Sequence, residues 1–431
     1  MKTYEKYKDS GVAWLGKIPE HWKMRRLKNC IISREAGAWG IDEQNNENDI
    51  ICLRVADFDY KNFSFKNNEK FTIRNYDTAT IKKLLLANGD ILIEKSGGGE
   101  KTPVGRAVIF DKNYRAVFAN FMEKIRTRHD IFSKYFLYAW SALYENRYIT
   151  RYIKQTTGIQ NLDLTSFFVH ENFPVPPLSE QEAIVKFLDH KVSRIEKLIL
   201  IRQAQIVKLK ELKKAVINKA VTRGLRDVPL KDSGVAWLGK IPASWKIEKL
   251  REIFTERSTK VSDKDYPALS VGYMGVVPQL ETAAKTDNGD NRKLICKGDF
   301  AINSRSDRKG AGGISEYTGS ASMIITVLKP HEDINGKFYH YLLRSHYFSE
   351  EFYRNGRGLV ADLWSTNWNN MRNIFVPVPP LAEQNEITKY LDKKCGQIDK
   401  LITIREKQIT ELNELKARLI SDVVTGKIDV R

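Results

Sequence analysis

Cysteine is scarce in this chain. Only four occur among 431 residues, at Cys30, Cys52, Cys296 and Cys395, all far apart. None forms a C-x-x-C pair, so neither a zinc knuckle nor a disulfide framework is indicated, and the thiols read as reduced. Histidine is sparse too. Of the seven, His340 and His346 stand six apart and would not share one helix face, so no metal site is expected. No run approaches the ~20 apolar residues of a membrane span. The opening MKTYEKYKDSG lacks the apolar stretch of a signal peptide. These absences together predict a cytoplasmic protein.

Catalytic signatures are missing as well. There is no N-P-P-Y or D-P-P-Y, the motif that holds a target adenine's amino group in amino-methyltransferases. Gly97-Gly98-Gly99-Glu100-Lys101-Thr102 has the glycines of a phosphate loop. A Walker loop needs glycine directly before the lysine, and Glu100 stands there instead, where its charge would repel a phosphate. Asp90 precedes Glu94-Lys95 without the intervening residue of an E-x-K nuclease pair, and Asp392-Lys393-Lys394 falls in a predicted helix as ordinary surface. No catalytic residue and no metal ligand is assigned.

What the chain does have is positive charge and a duplication. Lysine and arginine number 71 against 53 acidic residues, a formal net charge of +18. Such an excess favours an anionic partner, nucleic acid or an acidic membrane surface. Hydrophobic content of 42% and charged content of 29% fit ordinary globular cores. Residues 8–23, KDSGVAWLGKIPEHWK, return at 231–246 as KDSGVAWLGKIPASWK, matching at fourteen of sixteen positions. Pro176-Pro177-Leu178-Ser179-Glu180-Gln181 returns as Pro379-Pro380-Leu381-Ala382-Glu383-Gln384. The first pair is offset by 223 residues and the second by 203, so the second insert is 20 residues shorter. The inserts otherwise look unrelated. A period above 200 residues is a domain-scale duplication, not a solenoid repeat.

Each half has the same order: short frame, variable region, proline punctuation, long helix. In the variable regions, Gly89-Asp90-Ile91-Leu92-Ile93 and Gly298-Asp299-Phe300-Ala301-Ile302 read as turns feeding strands. Residues 134–140 and 337–343 read as the starts of buried helices. After the prolines, Ser179 and Glu182 form a capping-box pattern. Apolar residues then recur near heptad spacing at Ile184, Leu188, Ile195, Leu198, Ile206, Leu209, Leu212 and Val216. The second copy supplies Ile387, Leu391, Ile398, Leu401, Ile409, Leu412, Leu415 and Leu419, all at the 203 offset. Arg202 with Gln205 and Arg405 with Gln408 sit in mid-seam. Matching seams predict that the two helices pair with each other. The expected fold is α+β: two α/β domains, residues 1–174 and 223–378, and two long antiparallel helices, residues 175–222 and 379–431, forming a coiled coil about a pseudo-two-fold repeat.

Nucleic-acid contacts are expected in basic loops. In the first half the candidates are Lys95, Ser96 and Arg106, followed by Arg151, Lys154, Gln155, Gln160 and Asn161 in the loop before the prolines. In the second half they are Asn303, Arg305, Arg308 and Lys309 in a Gly-rich loop, with Arg354 and Arg357 later. Arginine reads guanine bidentately, and asparagine or glutamine reads adenine. Any one of these also reads as an ordinary surface charge.

With these features the chain resembles the specificity subunits of type I restriction–modification systems. The resemblance rests on S-G-x-A-W-L-G-x-I-P-x-x-W, the Gly-Asp strand starts, P-x-P-P-L-x-E-Q opening a long helix, and the ending Val423-Val424-Thr425-Gly426-Lys427-Ile428-Asp429. It spans both halves. It implies two target-recognition domains, each reading half of a split double-stranded DNA site, with the paired helices as a ruler. It also implies docking of two methyltransferase subunits on the helices and frames, where Trp14, Trp22, Trp237 and Trp245 are candidates, and of restriction/translocase subunits in the full complex. The modification implied is adenine N6-methylation, with S-adenosylmethionine, ATP and Mg²⁺ held by partners and none by this chain. A helix of forty-odd residues is roughly 60 Å long, more than one ~34 Å turn of DNA. Two other classes stand beside this reading: a two-armed DNA nuclease, supported only by the near-miss acidic clusters, and a coiled-coil scaffold without a DNA role.

Overall fold

The structure, a computed structural model, describes residues 2–68, 70–155, 158–279, 289–305, 308–358 and 364–431. The fold is α+β, as expected, with two long helices, Leu178–Arg223 and Leu381–Val424. The chain divides into two compact units. One comprises Met1–Gln203 with Lys407–Arg431, the other Ala204–Glu406. Each therefore holds a stretch of both long helices.

The duplicated frame is a β-hairpin. In the first unit Tyr7–Asp9 pairs with Lys17–Pro19, and in the second Leu230–Asp232 pairs with Lys240–Pro242. The D-S-G sequence builds the turn in both. Asp9 accepts the Gly11 N–H at 2.8 Å and Ser10 Oγ accepts that of Val12 at 3.1 Å. Asp232 and Ser233 repeat these bonds at 2.9 and 3.1 Å. Gly11 and Gly234 have φ of 70° and 67°, which glycine adopts without strain.

The P-P-L-x-E-Q block clasps this frame. The long helix starts at Leu178, one residue before the expected cap, so Ser179 lies inside the first turn. The Pro177 carbonyl takes the N–H groups of Glu180 and Gln181. Glu180 is buried and accepts from the Trp22 indole at 3.0 Å, from the Tyr4 hydroxyl, and from His21 Nε2 at 2.7 Å. Gln181 donates to the carbonyls of Pro176 and Asp130 and accepts the Phe132 N–H. In the second unit Glu383 accepts from Trp245 at 2.9 Å, and Gln384 bonds the Pro379 carbonyl and the Asn335 N–H.

Each variable region is built on a four-stranded antiparallel sheet with the same order. In the first unit Ala107–Ile109, Ile91–Glu94, Met122–Thr127 and Ile31–Ala36 lie side by side. In the second the order is Gly312–Ile314, Phe300–Asn303, Ile325–Pro330 and Phe254–Glu256. Alternation places Ile91 and Ile93 in the core shared with the frame and helices, and Leu92 in a second core behind the sheet. Phe300 and Ile302 against Ala301 repeat this. The predicted buried helices are found at Ser133–Glu145 and Gly336–Leu343. The Gly-Asp starts are turns. Gly89 and Gly298 both have φ of 91°. Asp90 is buried and held bidentately by Arg126 at 2.8 Å, and Asp299 by Arg257 at 2.6 and 3.1 Å.

Within the first unit Lys416 of the second long helix reaches Glu196 of the first at 2.5 Å. Within the second unit Lys213 meets Asp399 at 2.7 Å and Arg226 meets Glu386 at 2.8 Å. There one number rises as the other falls, so the two stretches run antiparallel. Leu188, Ile195, Leu391 and Ile398 are buried, and Ile206, Leu209, Ile409 and Leu412 are half-buried. Leu198, Leu212, Leu401 and Leu415 are exposed by 42%, 47%, 41% and 50%, so they face outward. Val192, Ile199 and Cys395 are buried instead. The buried line steps 188, 192, 195, 199, the alternation of four and three that keeps one stripe on a helix. The helix ends fill the frames. Gly426 lies against Pro19 and Trp22 in the first unit, and Gly224 against Pro242 and Trp245 in the second.

Two outcomes are expected. Removing the Glu180 carboxylate orphans the buried Trp22 and Tyr4 donors, at about 1–3 kcal/mol per unsatisfied group. Glu180→Ala should lower the urea unfolding midpoint, read by tryptophan fluorescence, and Glu180→Gln should lower it less. The second concerns His340, which accepts the Ile314 N–H at Nδ1 and stands beside Arg344. Burial, then the Arg344 charge and more weakly Lys337, push its pKa down to about 4, while Asp392 opposes them. Its unfolded value is about 6.5, so the unfolded chain binds the extra proton first. Stability should be full above pH 6.5 and fall towards pH 4, by at most about 3 kcal/mol. Urea midpoints of wild type and His340→Gln should diverge over that window.

Candidate nucleic-acid interface

The two predicted loops of the first half fold into one rim. Ser96–Gly97, Gln160–Leu162 and Ile153–Gln155 form a small antiparallel sheet at the end of the central strand Ile91–Glu94. Ser96 pairs with Asn161, which pairs with Lys154 on its other side. Ser96 Oγ donates to Asn161 Oδ1 at 2.6 Å. Gln160 is buried, and its Oε1 accepts the Val104 N–H at 3.1 Å while its amide donates to Gln155 at 3.3 Å. Lys154 and Gln155 are exposed, and Lys95 and Ser96 half-exposed. Lys154 leans on Asp163 at 2.9 Å. The Ser166 N–H and then Lys154 hold that carboxyl down to about 2. Arg151 is exposed and lies over the Tyr148 ring.

The second unit builds the same rim from other residues. Arg305 and Arg357 both bridge to Ser365. The Thr366 N–H bonds the Ser304 carbonyl at 2.8 Å, as the Leu162 N–H bonds that of Lys95 at 2.9 Å. Ser96, Asn161 and Lys154 thus correspond to Arg305, Ser365 and Arg357. Arg308 joins them, its N–H on the Arg305 carbonyl at 3.2 Å. Arg305, Arg308 and Arg357 are exposed, so this rim carries three cations. Beside it lies a groove of about 620 Å³ whose lining includes Tyr273, Met274, Gln279, Asn303, Arg308 and Ile324.

Other sequence candidates are engaged with partners of their own. Arg106 lies 3.6 Å over the Tyr60 ring and reaches Glu94 at 3.4 Å. Burial raises the Glu94 carboxyl above its usual range, with Arg106 opposing. Asn303 is buried and accepts the Arg305 N–H. Lys309 is tied to Glu350 at 2.5 Å and covers Tyr353, and Arg354 pairs with Glu351 at 3.2 Å. Thr156 and Thr157 of one loop and Ser306 and Asp307 of the other lie outside the described residues. Ser365 was not anticipated, because nothing near it in sequence marks it as a bridge.

The four frame tryptophans divide. Trp22 and Trp245 are fully buried and present no surface for docking. Trp14 and Trp237 are half-buried, packed on Tyr148 and Phe348 at 5.8 Å. Among the described residues no group of three or more His, Cys, Asp or Glu side chains could hold a metal, and no helix is long and apolar enough to cross a membrane.

Two dissimilar inserts on one scaffold, each ending in a basic rim, match a known family. The profile of the type I restriction modification DNA specificity domain matches residues 19–206 and again 242–414. The chain belongs to this family. It is a specificity subunit with two target-recognition domains. The type I restriction enzyme MjaVIII specificity subunit of Methanocaldococcus jannaschii is 25% identical over 448 residues, covering 96% of this chain and 95% of that one. The EcoKI specificity subunit of Escherichia coli K12 is 24% identical over 361 residues, covering 79% and 75%. A chain from a structure of type I restriction–modification complex assembly has a TM-score of 0.70 at 15% identity, covering 95% of this chain and 99% of that one. The HsdS subunit of Thermoanaerobacter tengcongensis has a TM-score of 0.53 at 15% identity, covering 95% and 98%. These two likenesses concern the fold.

In this specificity subunit the glycines at 97 and 98 are needed by the backbone. Gly97 and Gly98 have φ of 128° and 69°, and a Cβ on Gly98 would stand 2.3 Å from the Val104 nitrogen. Gly98→Ala should therefore open the turn beside the first rim, at about 1–3 kcal/mol of strain. Limited proteolysis should show faster cleavage between residues 97 and 104, with the second unit unaffected.

Proposed function

We propose that this chain is the non-catalytic specificity subunit of a type I restriction–modification complex and reads a bipartite double-stranded DNA site, one unit per half-site. It docks two methyltransferase subunits, and restriction/translocase subunits join through them. Methylation falls on adenine N6. S-adenosylmethionine, ATP and Mg²⁺ are held by partners, and this chain binds none of them.

The observation that carries the reading is the repeated rim. One backbone arrangement is kept in both units while its side chains change from Ser96, Asn161 and Lys154 to Arg305, Ser365 and Arg357. A scaffold kept while its polar tips vary is what two readers of different sequences require. Exposed cations supply phosphate contacts, and asparagine, glutamine and arginine supply base contacts. The +18 charge contributes a salt-sensitive, sequence-independent term.

Docking of two like partners is supported by a second duplication. The outward-facing apolar residues on the long helices match: Leu198 with Leu401, Ile201 with Ile404, and Leu212 with Leu415. Each is more than 40% exposed in the isolated chain. Equivalent apolar patches on duplicated helices fit equivalent partner subunits.

The test is modular. Residues 24–173 are replaced by the matching insert of another family member, the complex is assembled with its methyltransferase subunits, and methylated adenines are mapped by sequencing. One half-site should change and the other should stay. A swap that altered both equally would sink the two-reader model, and methylation by this chain without partners would refute the non-catalytic assignment.

A further inference from the structure

The central sheet places an apolar side chain at the lip of each rim, at the same position in both units. In the first unit the turn Ala119–Met122 closes through the Met122 N–H on the Ala119 carbonyl. Phe121 stands at its tip, 53% exposed. Its carbonyl accepts the N–H groups of Lys95 and Ser96 at 2.9 and 3.3 Å, which fixes the tip to the first strand of the rim. In the second unit the turn Ser322–Ile325 closes in the same way. Ile324 stands at its tip, 44% exposed. Its carbonyl accepts the Ser304 hydroxyl at 2.7 Å. Met122 pairs with Glu94 and Ile325 with Asn303, so the two tips occupy one structural position.

One exposed apolar residue on a protein surface needs no explanation. Two, at one position in two units whose inserts otherwise differ, held by equivalent hydrogen bonds beside a basic rim, do. Ala119-Asn120-Phe121-Met122 and Ser322-Met323-Ile324-Ile325 share no residue position by position, yet both keep the third residue apolar and exposed. Ile324 also lines the groove that holds Asn303 and Arg308, so its neighbours are hydrogen-bonding side chains rather than other apolar surface alone.

We infer that Phe121 and Ile324 are specificity-determining residues that each pack on the C5-methyl group of a thymine in their half-site. This rests on the reading of the rims as the DNA-contacting edges. The major groove, about 12 Å wide, admits a short β-ribbon and shows a distinct pattern for each base pair. On the major-groove edge of the base pairs the apolar group is the thymine methyl. A fixed apolar tip among donors and acceptors therefore selects an A·T pair at one position, while the polar side chains read its neighbours.

The experiment uses the full chain assembled with its methyltransferase subunits and a pool of random-sequence duplex DNA, read by sequencing the methylated adenines. Wild type should prefer a thymine at one position of each half-site. Phe121→Ala should relax that position in one half-site by about fourfold, equivalent to the ~0.8 kcal/mol of one buried methyl group. Ile324→Ala should do so in the other half-site. Phe121→Leu, which stays apolar, should keep the preference. In a pool made with deoxyuridine for thymine, wild type should lose the same fourfold at both positions, and Phe121→Ala should lose nothing more at its own position. Unchanged base preferences in both alanine variants, or a uniform loss of methylation with unchanged preferences, would overturn the inference. The double variant Arg305→Ala, Arg357→Ala separates the two levels. If it weakens methylation while the tip variants keep all preferences, the methyl contact fails and the rim reading stands. If it too methylates like wild type, the rim reading fails as well.

Discussion

A carboxylate turned into the frame, buried at Glu180 and half-buried at Glu383, sits at the root of each half of this protein. Glu180 and Glu383 lie in the first turn of the two long helices, and each takes the indole N–H of a buried tryptophan. A charge so placed is costly unless its oxygens are satisfied, and here the donors come from residues more than a hundred positions away. The glutamine that follows each glutamate ties down the loop entering the buried helix of the recognition region. Hairpin, helix start and recognition region are therefore set against one another by two adjacent side chains. The orientation of everything distal, including the rims, is inherited from this clasp.

Between clasp and rim the two units trade residues while keeping positions. Asp90 is held by Arg126 of the third strand of its sheet, whereas Asp299 is held by Arg257, which follows the fourth. The turn needs a buried, paired carboxylate after its glycine, and it does not matter which strand brings the guanidinium. The rims show the same tolerance at the surface, where a serine–asparagine–lysine row becomes arginine–serine–arginine. Constraint is thus strongest near the frame and weakest at the rim, which suits a scaffold that presents different readers.

Much of this was legible in the sequence because it is local or repeated. The proline-led helices and the buried helices at Ser133–Glu145 and Gly336–Leu343 follow from turn residues and apolar spacing, whereas the repeated frame was visible as a repeat but not as a hairpin. The candidate loops were also visible as basic, Gly-rich stretches. Their union was not, because pairing Ser96 with Asn161, or Arg305 with Ser365, joins segments some sixty residues apart through backbone bonds that no side-chain pattern announces. Register on the helices was misread where two apolar neighbours competed. Leu198 and Ile199 are adjacent, and only the alternating four-three step selects Ile199 for the stripe. Duplicated tryptophans suggested a docking surface, yet a core contact repeats as faithfully as a surface one, and Trp22 and Trp245 belong to the core. Phe121 and Ile324 escaped notice because an exposed apolar residue is recognisable only once its exposure is known.

The first unit is completed by the far end of the chain. Leu419, Ile420, Val423 and Val424 belong to the same core as Trp22 and Ile18, and the Asp429 N–H bonds the Lys2 carbonyl at 2.9 Å. During synthesis, residues 1–203 emerge long before residues 407–431 that fill their core. The first unit to be made is then the last to be finished, and it must wait with an open apolar seam while the whole second unit is translated. The contacts that close it, such as Asp429 with Lys2, are far apart in sequence, and such non-local contacts are intrinsically slow to form.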